Sequence, residues 1–260
     1  DVDGVTATAM LYTYLDSIGA EVYYKLPNRE EDGYGLSVPA VEQMAEKGVQ
    51  LIITVDNGIS AAEAVARASE LDMDVVVTDH HLPPETLPQA AALIDPQLPY
   101  DTSPCKTLCG AGVAYKLICA LEGATCEEML AYYADLAAIG TVADIMVLEG
   151  ENRTLVKAGL ELMQDSERPG LRALISACGL EDKPLTAESI SYAIAPKLNA
   201  AGRMKDATAA LQLLLCEDEE EAEEIAHELI EQNNERRKTE QDIAAQIMEQ
   251  IAGADGHDKE

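Results

Sequence analysis

Two apolar runs separated by a helical pattern constrain this chain more than any other feature. Val49 to Val55 and Met73 to Thr78 lack the period-two alternation of a strand with one wet face, so each reads as a strand buried on both sides. Between them, Ala61 to Leu71 places its apolar residues at helical spacing. The alternation extends both ways, with a helix predicted over Val5 to Ser17, a strand over Glu21 to Leu26, a helix over Val38 to Lys47, and a short strand over Ala91 to Ile94 before Asp95-Pro96. Strands that alternate with helices predict an α/β fold, a parallel sheet with helices on both faces.

Such a sheet binds its ligands beyond the carboxyl ends of its strands, and both runs end on chemistry. The first leads into Asp56-Asn57-Gly58 and the second into Asp79-His80-His81, which holds two of the four histidines of the chain. Asp1-Val2-Asp3-Gly4 opens a helical pattern, and Asp144 closes Gly140-Thr141-Val142-Ala143-Asp144 after another. Carboxylates and imidazole without a cysteine pair suit a hard or borderline divalent ion, Mn²⁺ or Mg²⁺. Each residue alone also has a plain reading: a strand-end Asp caps the next helix, Asp1 and Asp3 make a turn, and a lone histidine satisfies the core. Four such segments together point instead to one metal centre.

The second half changes character. Gly110 to Leu121, Glu127 to Ile139, Arg153 to Met163, Gly170 to Cys178 and Ala207 to Leu215 read as helices, with a loop predicted around Asn199. From Glu217 to Ile251 no glycine or proline intervenes, and Ile225, Leu229, Ile243, Ile247 and Ile251 mark a narrow apolar side, so one long helix is expected.

Asp-x-Asp-Gly, Thr-Val-Asp-Asn-Gly-Ile-Ser, Thr-Asp-His-His-x-Pro and Gly-Thr-Val-Ala-Asp, in this order, resemble the DHH phosphoesterase superfamily. Pro27-Asn28-Arg29 with Gly33-Tyr34-Gly35-Leu36, Glu151-Asn152-Arg153, and Ala195-Pro196-Lys197-Leu198-Asn199-Ala200-Ala201-Gly202-Arg203-Met204 resemble its RecJ-type single-strand-specific exonucleases. The likeness runs from residue 1 to about residue 240.

The resemblance implies one or two divalent ions. Asp56 bridges them, Asp3, His80 and Asp144 complete one shell, and Asp1 serves the other. The family usually supplies a further histidine just upstream, so this chain, which starts on Asp1 without methionine, is expected to be a piece of a longer protein. Paired cations acidify a water and neutralise charge developing on a phosphodiester. His81 is then the candidate to contact the scissile phosphate or protonate the leaving oxygen, and Asp79 either orients one of the rings or caps a turn. Asn199 and Arg203 are expected to face substrate, since a guanidinium grips phosphate with a two-pronged hydrogen bond. Arg29 shares that expectation with a turn role.

In this reading residues 1–165 form the catalytic domain, 166–216 a helical extension with a substrate-facing Asn-Ala-Ala-Gly-Arg loop, 217–252 a connector helix to a further domain, and 253–260 a tail. Three functions stay open. The first is a 5′ to 3′ exonuclease on single-stranded DNA in recombination and repair, with single-strand-binding protein and a recombination helicase as partners. The second is a phosphodiesterase of short oligoribonucleotides or cyclic dinucleotides, and the third a non-catalytic replication scaffold.

Composition sets bounds on these. A chain of 260 residues, 47% hydrophobic, can bury a full core in one large or two modest domains. No apolar stretch reaches the roughly 20 residues of a membrane span, no charged-then-apolar stretch resembles a signal peptide, and a cytoplasmic location is expected. Six scattered cysteines with no Cys-x-x-Cys fit a reducing compartment. The net charge of −30 opposes nucleic-acid binding, which phosphate neutralisation normally drives. Residues 217–260 hold 16 acidic and 4 basic residues, which localises −12 of that charge.

Overall fold

The computed structural model describes residues 1–27, 35–204 and 207–254, with backbone alone for 201–204 and 249–254. The elements that place the site are helix α1 (Val2–Ser17), α2 (Val38–Glu46), strand β1 (Leu51–Thr54), α3 (Ala62–Glu70), β2 (Asp74–Thr78) and β3 (Ala92–Ile94). The rest is helical: α4 (Gly110–Glu122), α5 (Cys126–Ala143), α6 (Gly150–Gln164), α7 (Pro169–Ala177), a π-helical turn (Ser189–Ile194), α8 (Ala195–Met204), α9 (Thr208–Leu215) and α10 (Glu219–Ala254).

Local chemistry sets several helix ends. Asp1 caps α1 and Ser37 caps α2, each accepting an amide three residues on. Thr125 and Glu128 form a reciprocal capping box at α5. Pro39 and Pro169 sit in first turns, where a missing N–H costs no helical bond.

The three strands pair in parallel in the order β1-β2-β3, with Leu51 opposite Asp74 and Val76 opposite Ala92. Both faces are covered. Ile52, Val75 and Val77 pack with Val41, Ala64, Val65 and Ala68 of α2 and α3. Ile53 and Ile94 turn to the other side, against the main core, which gathers α1 and α4 through α10 as far as Leu229. Burial on both faces is why the runs lack alternation.

Two expectations are corrected. Glu21 to Leu26 forms no strand. Its residues and β1 line a common cavity of about 1600 Å³, with Tyr23, Lys25, Leu51 and Ile53 on its walls, and among the described residues its backbone joins no ladder. The Asn-Ala-Ala-Gly-Arg segment is helical, within α8, and not a loop. Alanine is the strongest helix former, Pro196 falls in the first turn, where it is tolerated, and the π-helical turn runs directly into this helix. Leu198 and Ala200 are buried, which fixes the helix against the core.

Candidate metal centre

Asp3 stands in the first turn of α1, 2% exposed, and its two oxygens accept the amides of Gly110 and Ala111 at 2.6 and 2.8 Å. Those amides open α4, so a helix N-terminus holds this carboxylate in place. Burial, and then the neighbouring Asp56 charge, push its pKa up to about 7.

Asp56 lies just beyond β1 with φ of 59°, a left-handed conformation that Asp tolerates better than most residues. The turn around it is tied by the Thr54 hydroxyl donating to the Asn57 carbonyl and by Asn57 Nδ2 donating to the Val55 carbonyl. Gly58 continues the turn at φ of 109°, where an added Cβ would come within 2.6 Å of Thr54 Oγ1. Thr78 of β2 donates its hydroxyl to the Thr54 carbonyl, locking the two strand ends together.

His80 follows β2 and lies at the centre of the carboxylates. Its Nε2 is 3.0 Å from Asp56 Oδ1, 3.7 Å from Asp3 Oδ2 and 3.8 Å from Asp144 Oδ2. Burial alone would lower its pKa, but the Asp56 hydrogen bond and the Asp3 and Asp144 charges outweigh it and raise it to about 9. Asp144 arrives from the C-cap of α5, about one third exposed.

Asp79 is buried and saturated with donors. Oδ2 accepts the Ile59 amide, while Oδ1 accepts the His80 and His81 amides and meets His81 Nδ1 at 2.7 Å. It thus combines the ring contact and the turn cap that the sequence left as alternatives. The His81 side chain is 59% exposed and leans on His80 with ring centroids 4.4 Å apart.

Close packing of the backbone lets these groups meet. A Cβ on Gly110 would lie 2.4 Å from Asp56 Cβ, and one on Gly140 would lie 2.6 Å from Asp3 Oδ1. At Gly4 it would be 3.1 Å from Asp56 Oδ2 and 3.8 Å from Asp1 Oδ1.

Two donor sets have their ligand atoms within 4.8 Å of one another, Asp3 with His80 and Asp144, and Asp56 with His80 and His81. Asp1 belongs to neither, and its Oδ1 caps α1 by accepting the Gly4 amide. Sequence reasoning missed His81 as a possible ligand and the amides that grip Asp3. The small-residue run Gly110-Ala111-Gly112 was the available signal for the latter. Carboxylates packed this closely repel one another unless a cation joins them, and oxygen donors with one or two imidazoles fit Mn²⁺ or Mg²⁺.

The remaining candidates fall elsewhere. Asn199 lies in α8, half-buried, near Asp3 and Asp144 on the wall of a shared cavity. Arg203 is on the same helix, its side chain among those not described, and Arg29 lies outside the described residues. Among the described residues no helix is long and apolar enough to cross a membrane, and all six cysteines are unpaired.

Residues 1–141 match the DHH family, N-terminal domain. The chain is 43% identical over 261 residues to the single-stranded-DNA-specific exonuclease RecJ of Dickeya dadantii, covering 95% of this chain and 45% of that protein. It therefore spans about half the length of that relative. A crystal structure of exonuclease RecJ bound to manganese aligns with a TM-score of 0.86 and 38% identity over 96% of this chain and 63% of its own. RecJ of Thermus thermophilus in complex with Mg²⁺ aligns with a TM-score of 0.69 and 34% identity over 95% of this chain and 32% of its own. The matched family domain takes in Asp3, Asp56, His80 and the α4 amides that hold Asp3, and the chain belongs to the DHH family.

Proposed function

We propose that this chain is the catalytic part of a RecJ-type exonuclease that hydrolyses single-stranded DNA from its 5′ end. The observation that carries the reading is His80 Nε2 standing within 3.8 Å of Asp3, Asp56 and Asp144 at the carboxyl edge of a parallel sheet. RecJ relatives that share about two fifths of its residues, and solved RecJ structures holding Mn²⁺ or Mg²⁺, support it.

Asp3, Asp56, His80 and Asp144 would hold the ions, with Asp1 toward a second position and His81 at its edge. Bound divalent cations supply charge neutralisation on the phosphate and acidify a water near neutral pH. The chain's own residues do the rest. Asp79 holds the His81 ring through Nδ1, which leaves Nε2 as the nitrogen to hand a proton to the leaving oxygen or to hydrogen-bond the phosphate. Burial of Asp3 and Asp79 keeps both carboxylates from drifting into water.

Residues 1–165 carry the chemistry, 166–216 brings Asn199 and Arg203 toward substrate, and 217–252 connects to a further part of a longer protein. Work in recombination and repair in the cytoplasm, beside single-strand-binding protein and a helicase, follows from the same reading. The charge of −30 favours a small substrate instead, and that alternative is tested alongside.

The test incubates the Mn²⁺-loaded protein with single-stranded DNA labelled at either end, with duplex DNA and a cyclic dinucleotide as competitors. Mononucleotide released from the 5′ label with the duplex spared is the expected result. Hydrolysis of the cyclic dinucleotide alone would keep the metal chemistry and overturn the DNA assignment.

A further inference from the structure

The metal centre lies between two cavities that meet at Asp1. The larger passes Asp56, Asp79 and His81 and continues along β1. The smaller, about 320 Å³, is lined on one side by Asp3, Asp144 and Ile145, and on the other by Ser191, Asn199 and Arg236. Its volume is at the lower end of ligand pockets, suited to a single nucleotide unit.

Arg236 comes from α10, the helix expected from the sequence to be a connector and given no part in the site. It is the one cationic side chain lining this cavity among the described residues. The side chain is only 20% exposed, and its fork is braced by Nη1 donating to Glu240 Oε1 at 2.5 Å and Nη2 donating to Asn233 Oδ1 at 3.1 Å. Asn233 is itself 1% exposed, so one brace is anchored in the core. A guanidinium has five donors, and these bonds use two of them. The rest of the fork is pre-oriented, which lowers the entropy cost of gripping an anion.

Two further features of the wall point to a ligand. Asn199 buries Oδ1 with no hydrogen-bond partner among the described residues, and a buried acceptor left unpaired calls for a donor from elsewhere. Ile145, at the rim, is 88% exposed and holds φ of 58°. A β-branched residue in that region is strained, and such strain concentrates at functional sites.

We propose that the smaller cavity is a nucleotide subsite in which Arg236 grips the phosphate next to the scissile one, while Asn199 accepts a hydrogen bond from that nucleotide and Ile145 packs on its sugar or base. The assignment rests on the exonuclease reading above and deepens it. It places one guanidinium, ion-paired with Glu240 but with donors to spare, on the wall opposite the carboxylate cluster.

The test uses oligothymidylates in which a single neutral methylphosphonate replaces each of the first three linkages in turn. First-turnover release of nucleotide is measured with Mn²⁺-loaded wild-type protein, Arg236→Ala and Arg236→Lys. At one position the neutral linkage should raise KM by about tenfold to a hundredfold in wild type, the loss of one charged hydrogen-bonded contact. Arg236→Ala should show that same loss on the unmodified strand and no further loss at that position. Arg236→Lys, keeping the charge without the fork, should fall between. Additive losses at every position, with wild type still cutting the unmodified strand, would overturn this inference alone. A wild-type protein that leaves the unmodified strand intact would overturn the exonuclease reading and this one with it. A merely structural role for Arg236 would slow all substrates alike.

Discussion

His81 and Asp56 both touch the His80 ring, yet their surroundings assign them different losses. Asp56 Oδ1 meets His80 Nε2, the atom that also faces Asp3 and Asp144, so Asp56→Ala is expected to abolish both Mn²⁺ binding and turnover. His81 is over half exposed and tied through Nδ1 to Asp79, so His81→Ala should cut turnover by about 10² to 10⁴, the usual worth of a proton-transfer group, with Mn²⁺ affinity nearly unchanged. Titration calorimetry with Mn²⁺ beside rate measurements separates the two, and equal metal loss in both variants would make His81 a ligand rather than a proton donor. Gly110→Ala probes the support beneath them. Its Cβ would come within 2.4 Å of Asp56 Cβ, and the helix end it displaces holds Asp3, so Mn²⁺ affinity should fall at least about tenfold. Unchanged affinity would mean that the α4 terminus moves freely. Asp3, Asp56, His80 and Asp144 were legible because carboxylates and imidazole at strand and helix ends have few structural uses in combination. Gly110 and Gly140 were not, because the contacts that require them cross the fold, and no local pattern records a distance to Asp56 or Asp3.

At the scale of elements, the same contrast separates what pattern discloses from what packing decides. β1 and β2 were visible as unbroken apolar runs because both sheet faces are covered, by α2 and α3 on one side and the main core on the other. Glu21 to Leu26 has strand-like composition but pairs with no strand among the described residues, and pairing is not written in a single segment. The small residues of α8 suggested a loop, though burial of Leu198 and Ala200 makes them a helix. On α10, Ala222, Ala226 and Leu229 are buried, while Ile243 and Ile247 remain about half exposed, so its apolar stripe is used only over its first part. The contact of α5 with α6 yields a stability prediction. A Cβ on Gly159 would stand 2.2 Å from the Ala134 carbonyl oxygen and 2.4 Å from Ala138 Cβ. Gly159→Ala gains about 1 kcal/mol of helix propensity but forces two helices apart at a backbone atom. Overpacking of that kind costs about 1 to 3 kcal/mol or more, so a net loss and a lower urea midpoint are expected. A raised midpoint would show that the helix crossing yields easily.

For the whole molecule, charge ties folding to metal. Asp3 keeps its proton to about pH 7 when folded, against an ordinary value of 3.8, and His80 keeps its proton to about pH 9, against 6.5. In both windows the folded chain binds more protons than the unfolded one, so without metal these groups make stability fall as pH rises from about 4 to about 9. The many other carboxylates of this −30 chain add self-repulsion as they ionise, but that ends near pH 5. Between pH 6 and 9 the decline therefore belongs chiefly to His80 and to the upper part of the Asp3 titration. A divalent cation needs both groups deprotonated, so its binding displaces those protons and strengthens over the same interval. Melting curves of the metal-free protein should shift to lower temperature from pH 6 to pH 9, while the increment produced by a fixed Mn²⁺ concentration widens. An Asp3→Asn, His80→Gln variant should flatten both trends, because neither replacement titrates there. A metal-free melting temperature that holds steady or rises across pH 6 to 9 in the wild type would show that the buried cluster does not store these protons, and that its carboxylates are kept apart by some means other than His80.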